Sequence, residues 1–226
     1  DAMSVLGVAR DLAALYSKEL KMPSFKLSED QTRKTFDAVK VEITDKKLCP
    51  RYMARVIDNV KVGPSPAWLA KTIENTGMRP VNNVVDVTNY VSYMFGHPSH
   101  AFDYNKISGG EIIVRKASAG EKMEAIDNKE YELGPEMLLI CDKEAPRAIA
   151  GVMGGKFSEV CETTTKLLIE VAVFDPVSVR KTSKKLSLAS ESSQRFTRGV
   201  DISDSEYIIN AISSLICELS PGAACF

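Results

Sequence analysis

Residues 79–103 read Arg-Pro-Val-Asn-Asn-Val-Val-Asp-Val-Thr-Asn-Tyr-Val-Ser-Tyr-Met-Phe-Gly-His-Pro-Ser-His-Ala-Phe-Asp. Apolar and polar side chains run together until Gly96 and Pro98 stop the element, and His100 stands just past the break. A chain that ends a packed element in this way sets a polar constellation at the mouth of a scaffold.

Upstream, Pro64-Ser65-Pro66 leads into a short helix predicted over residues 67–75 and ended by Gly77. Val39-Lys40-Val41-Glu42-Ile43 alternates like a half-buried strand, and residues 52–62 supply another strand candidate. Residues 1–20 read as an amphipathic helix. Val5, Val8, Ala9, Leu12, Leu15, Tyr16 and Leu20 recur at helical spacing, away from Arg10, Asp11, Lys18 and Glu19. Such a helix needs a partner surface, and its abrupt opening suggests a piece of something longer. Polar residues 21–38, with Pro23 near their start, read as a linker.

Downstream, short strands are predicted over 112–115, 123–126 and 131–133, with Gly120 and Asp127-Asn128 as punctuation. Residues 138–141 and 167–174 look like buried strands. Residues 177–186 read as a helix starting near Asp175-Pro176. Residues 204–219 read as a closing helix, capped by Asp201 or Ser203. Many short strands with a few outer helices imply an α+β domain, its heart a mixed β-sheet or barrel with peripheral helices. The organisation expected is an N-terminal helix and linker over 1–38, then one domain over 39–226.

The chain has 226 residues, enough to bury a real core. Its hydrophobic content of 44% and charged content of 26% are those of an ordinary globular protein. A net charge of -1 gives no global pull toward nucleic acid, so any RNA contact must be local. No apolar run reaches membrane-spanning length, and no signal segment opens the chain. Cys49, Cys141, Cys161, Cys217 and Cys225 are scattered without a Cys-x-x-Cys pair. That pattern argues for reduced thiols and a cytoplasmic home, and against a structural zinc site.

Glu170 is the sharpest anomaly, a carboxylate inside an apolar run. Burial there costs several kcal/mol unless the acid is paired or faces a cavity. Either strand alternation exposes it at a sheet edge, or it is a recognition acid at a pocket floor. His97 and His100 are the chain's two histidines. With Asp103 they invite a metal reading, but Pro98 intervenes and no second cluster exists. His100 is otherwise a histidine satisfied by turn hydrogen bonds, or one in a cleft that orients water or a substrate hydroxyl.

Gly151-Val152-Met153-Gly154-Gly155 lacks the ending a phosphate loop requires. It is a tight turn, or a place where backbone N–H groups approach a ligand closely. Residues 180–198 carry Arg180, Lys181, Lys184, Lys185, Arg195 and Arg198 against Glu191. A solvated basic face and a phosphate contact both fit that excess. The interleaved serines 183, 187, 190, 192 and 193 could meet a substrate or merely cap turns. No catalytic triad and no dinucleotide fingerprint can be assembled.

Four blocks, in order and suitably spaced, carry a family resemblance. They are Arg79–Asp103 with its Gly-x-Pro-x-His-Ala-Phe-Asp turn, Ala150–Gly155, Leu168–Glu170 with Asp175–Arg180, and Ser190–Ser193 running through Arg195-Phe196-Thr197-Arg198-Gly199-Val200-Asp201. Over nearly its whole length the chain resembles the B3/B4 region of bacterial phenylalanyl-tRNA synthetase β subunits, with residues 1–16 similar to the family's preceding B1 helix. The resemblance implies an editing domain that hydrolyses tyrosine wrongly esterified to phenylalanine tRNA.

Carried over residue by residue, it implies a pocket of Arg79, Thr88, Asn89, His100, Ala150, Gly151, Gly154, Glu170, Ser190 and Ser192. Glu170 would accept the tyrosine hydroxyl, and His100 and Arg79 would hold the terminal adenosine or the ester. Gly151 and Gly154 would present backbone groups to the carbonyl or to an attacking water. Two departures from the family pattern stand out: Ser190 where Thr is common, and Ser192 where Ala is usual.

The implied partners are the aminoacylated 3′ end of phenylalanine tRNA and an α subunit in a parent heterotetramer, with neither DNA nor membrane. No cofactor is implied for this chain. ATP and Mg²⁺ serve the parent ligase elsewhere, because the class II ligase motifs are absent here. The rival readings are a non-catalytic tRNA-docking or subunit-packing module and a metal-dependent hydrolase built on His97, His100 and Asp103.

Overall fold

Residues 167–173, Leu-Leu-Ile-Glu-Val-Ala-Val, form a strand buried at every position, because a separate apolar core lies against each of its faces. The computed structural model describes residues 3–226. Its helices are α1 (Val5–Leu15), α2 (Thr35–Ala38), α3 (Ala67–Asn75), α4 (Asn83–Phe95), α5 (Pro176–Leu186), α6 (Glu191–Arg198) and α7 (Ser205–Leu219). Its strands are β1 (Lys40–Ile43), β2 (Arg51–Asp58), β3 (His100–Asp103), β4 (Glu111–Lys116), β5 (Glu121–Glu124), β6 (Glu130–Leu133), β7 (Leu138–Cys141), β8 (Pro146–Ile149), β9 (Met153–Gly154), β10 (Leu167–Val173) and β11 (Ala224–Cys225).

The central strand β10 lies in an antiparallel sheet ordered β11-β2-β10-β3. A second sheet runs β1-β4-β7-β8-β9, with β1 parallel to β4 and the rest antiparallel, and β5 pairs with β6 in a small ribbon. These sheets stay open, so the mixed sheet forms and no closed barrel does among the described residues.

Strand alternation sorts the two cores. Leu168 and Ala172 join Val56, Phe102 and the second sheet's Ile112, Val114, Leu139 and Ile149. Leu167, Ile169 and Val171 join Val87 and Val91 of α4, Ile73 of α3 and Ile208 and Ile212 of α7. Glu170 shares the face of Leu168 and Ala172, and so points between the sheets.

The opening stretch resolves into a helix, a glycine stop and a strand. Asn82 caps α4 by accepting from the N–H groups of Val84 and Val85. Buried Asp86 accepts from the Ser65 hydroxyl and the Val81 N–H. Val84, Val87, Val91 and Phe95 make the buried stripe. Gly96 ends the helix at φ 78°. His100 then begins β3 rather than closing a turn.

Several elements differ from the sequence reading. Helix α1 ends at Leu15 rather than at residue 20, with residues 1 and 2 of that expectation outside the described residues; it meets α4, and Leu6 and Gly7 are its buried positions. The apolar stripe of Val5, Val8, Leu12, Leu15 and Tyr16 is 45–73% exposed. Strand β1 is mostly exposed because it is a sheet edge. Residues 21–38 are laid across the domain. Phe25 meets Phe95 and Tyr207 edge-on, and the Asp30 N–H donates to the Cys225 carbonyl. Asp201 caps a 3₁₀ turn that precedes α7, not α7 itself. Among the described residues no helix is long and apolar enough to cross a membrane.

Candidate functional site

Glu170 is 5% exposed. Its direct cross-strand neighbours are Ala54 on β2 and His100 on β3. Two residues along β2 from Ala54, on the same face, Tyr52 donates its hydroxyl to Glu170 Oε2 at 2.8 Å. Desolvation pushes the Glu170 carboxyl up to about 7, with the Tyr52 hydrogen bond pulling the other way. The same burial, reinforced by the nearby carboxylate, raises the Tyr52 phenol well above its ordinary value. Buried Cys49 is pushed up to about 12 by burial first and by Glu170 second.

His100 supplies the opposite chemistry. Its ring stands edge-on to Phe102 at 4.4 Å between centroids. Nε2 is buried and has no hydrogen-bond partner among the described residues. Burial pushes the imidazole down to about 4, against a weaker pull from the Glu159 charge, so it is neutral at pH 7. A neutral imidazole thus lies beside a carboxyl poised at its titration point.

The glycine loop packs directly on His100. A Cβ at position 154 would stand 2.5 Å from His100 Cε1, so only glycine lets β9 approach the ring. Gly151 adopts φ 69°, and a Cβ there would press on Val179, Phe174 and Phe196. The Ala150 N–H is already given to the Leu138 carbonyl.

Two serines fasten α6 to the loop. Ser190 is the helix cap and donates to the Val152 carbonyl at 2.7 Å, and Ser192 donates to the Gly151 carbonyl at 3.2 Å. His100, Glu170, Ala150, Gly151, Gly154, Ser190 and Ser192 therefore form one contiguous group.

Arg79, Thr88 and Asn89 are not bonded to it. Arg79 is exposed ahead of α4. Thr88 is buried and donates to the Val85 carbonyl of its own helix, and Asn89 is partly exposed on the same helix. Among the described residues no side-chain hydrogen bond or ion pair links these three to Glu170, His100 or the loop.

The metal grouping does not assemble. His97 Nε2 meets the Ala172 carbonyl at 3.1 Å, and a carbonyl only accepts, so that nitrogen carries the proton. Asp103 accepts from Thr164 and from the Asn105 N–H. No three His, Cys, Asp or Glu side chains gather among the described residues. The basic strip is also divided. Arg180, Lys181, Lys184, Lys185 and Arg198 are exposed. Arg195 is 3% exposed, stacked on Tyr93 and paired with Glu191 at 2.8 Å.

Tyr52 is the residue that the sequence reading missed. Its signal was its place in a predicted strand, with nothing to say that its face met Glu170. Surface cavities lie elsewhere, one of about 640 Å³ beside Arg33, Phe36 and Phe226 and one of about 330 Å³ beside His97, Arg195 and Arg198.

Residues 48–221 match the model of the B3/4 domain family. The phenylalanine–tRNA ligase beta subunit of Carboxydothermus hydrogenoformans is 49% identical over 222 residues, 98% of this chain and 27% of that protein. The subunit of the same name from Moorella thermoacetica is 47% identical over 222 residues, 98% of this chain and 28% of that protein. The chain thus spans little more than a quarter of these relatives. A crystal structure of an N-terminal fragment of the phenylalanyl-tRNA synthetase beta-subunit from Pyrococcus horikoshii superposes with a TM-score of 0.55, over 98% of this chain and 58% of that one. At 14% identity that likeness carries the fold alone.

Proposed function

The chain belongs to the B3/4 domain family, and from that premise we propose that it removes tyrosine wrongly esterified to phenylalanine tRNA. The observation that supports this reading most is the Glu170–His100 pair. It sets a buried carboxyl at about 7 beside an imidazole whose buried Nε2 has no partner among the described residues.

Tyrosine differs from phenylalanine by one hydroxyl. A pocket that merely fits phenyl rejects it imperfectly, whereas a desolvated acceptor discriminates strongly. Glu170 accepts the substrate phenol, and phenylalanine leaves that acceptor unsatisfied at a cost of about 1–3 kcal/mol or more. His100 holds the ester or the terminal ribose through Nε2. Gly151 and Gly154 bring backbone close to the ester carbonyl, and Ser190 and Ser192 hold that loop. Thr88, Asn89, Ala150 and Arg79 complete the lining once the tRNA end is bound. Water is the nucleophile, positioned in part by the tRNA's own terminal hydroxyl, so no covalent intermediate forms.

The natural setting of this reaction is a cytoplasmic ligase in which an α subunit uses ATP and Mg²⁺ to charge the tRNA. A tRNA-docking or subunit-packing role without catalysis is the second reading. It draws on the closure around Glu170, which is 5% exposed and lines neither of those surface cavities.

Incubation with tyrosyl- and phenylalanyl-tRNA separates the two. Selective loss of the tyrosyl ester is the expected result. Equal loss of both at the uncatalysed rate would overturn the editing reading.

A further inference from the structure

Three groups with titratable or sulfur atoms face Glu170: Tyr52 on β2, His100 on β3, and Cys49 just ahead of β2. Their bonds are unequal. Among the described residues, Cys49 donates to the Arg51 carbonyl, His100 Nε2 is unpartnered, and Tyr52 alone donates to the carboxyl. That bond engages Oε2, and no hydrogen bond from the described residues reaches Oε1. A carboxylate accepts through both oxygens, so the second remains for a ligand.

We propose that Tyr52 is a positioning residue for tyrosine discrimination, its hydroxyl committing Oε2 of Glu170 and leaving Oε1 to accept the substrate phenol. The inference rests on the editing function above and deepens it. Tyr52 presents to the carboxyl the same chemical group that the substrate brings. Glu170 is thereby an acceptor set between two phenols, one permanent and one supplied by the mischarged amino acid. Phenylalanine leaves only the permanent one in place.

Tyr52 also controls when the acceptor is available. Donation to a carboxylate favours its ionised form, and burial opposes it. While Tyr52 holds Oε2, a proton on the acid must sit on Oε1, where it blocks acceptance. Removing the Tyr52 hydroxyl keeps Glu170 protonated to higher pH.

The test is Tyr52→Phe in the assembled ligase that contains this domain. It follows the ratio of tyrosyl to phenylalanyl ester hydrolysis from pH 6 to 8.5, corrected for spontaneous loss. A ¹³C titration of the Glu170 carboxyl runs alongside. In the wild-type protein the ratio rises through neutral pH. In the variant its midpoint moves up by about one pH unit or more, and the ratio at pH 7 falls about fivefold or more. It recovers toward pH 8.5, which a merely loosened core would not produce.

Should Tyr52→Phe fail to fold, replacing tyrosine by 3-fluorotyrosine keeps the shape and strengthens the donor, and it must move the Glu170 midpoint down. An unchanged midpoint and ratio overturn this inference alone. A wild-type protein with no tyrosyl preference overturns the functional reading and this inference together.

Discussion

Glu170 is held where a carboxylate is expensive, and the cost has a definite pH signature. Its carboxyl titrates at about 7 in the fold against an ordinary 4.5. Below the ordinary value it is protonated in both folded and unfolded chains. As pH rises through about 7 the unfolded chain ionises first, so the fold loses roughly 3 kcal/mol from this group. Glu170→Gln keeps the shape and an acceptor for Tyr52 but cannot ionise. Its stability relative to wild type should therefore rise by roughly 3 kcal/mol between pH 4 and pH 8 in denaturant titrations. An equal effect at both pH values would mean that the acid is well solvated. The residue thus trades stability for a poised acceptor. Its anomaly was visible in the sequence, as a single acid in an eight-residue apolar run. Tyr52 was not, because register between β2 and β10 decides which side chain meets it, and no local pattern encodes a register.

At the scale of elements, periodicity explains what could be read. Helices α3, α5 and α7 and strands β7 and β10 carry a regular apolar pattern or a continuous apolar run, and each lies within a residue or two of its expected bounds. Helix α6 was illegible. Glu-Ser-Ser-Gln-Arg-Phe-Thr-Arg offers one apolar anchor, Phe196, and is held by the Ser190 cap and by hydroxyl bonds to the glycine loop. The apolar stripe of α1 was legible, but not the face by which it docks, since Leu6 and Gly7 rather than that stripe meet the domain. The clip between α6 and the loop supplies an element-scale test. Ser192→Ala removes a 3.2 Å bond to the Gly151 carbonyl at a partly exposed position. The expected cost is about 1 kcal/mol or less in stability. The rate of tyrosyl-tRNA deacylation should change, because the pocket gains room and loses a polar group. An unchanged rate would take Ser192 out of the site.

Across the whole molecule, two open sheets face one another, and the Glu170 face of the first points toward the second. The helices cover the other face of β10 and shape a separate core. This division lets an expensive polar pair sit in one layer while the second core carries its own share of stability. A net charge of -1 makes local placement of cations decisive for any tRNA contact. Arg180, Lys181, Lys184 and Arg198 are exposed on the two helices that flank the glycine loop, where the proposed function would use them. Binding there would bring a tRNA end to the loop and to His100. The decisive measurement is a structure with a non-hydrolysable tyrosyl-adenosine analogue bound. The phenol oxygen should lie within about 3 Å of Glu170 Oε1, with the Tyr52 hydroxyl still on Oε2. A phenol ring seated away from Glu170, with that carboxyl contacting Tyr52 alone, would contradict the assignment of this acid as the reader of tyrosine.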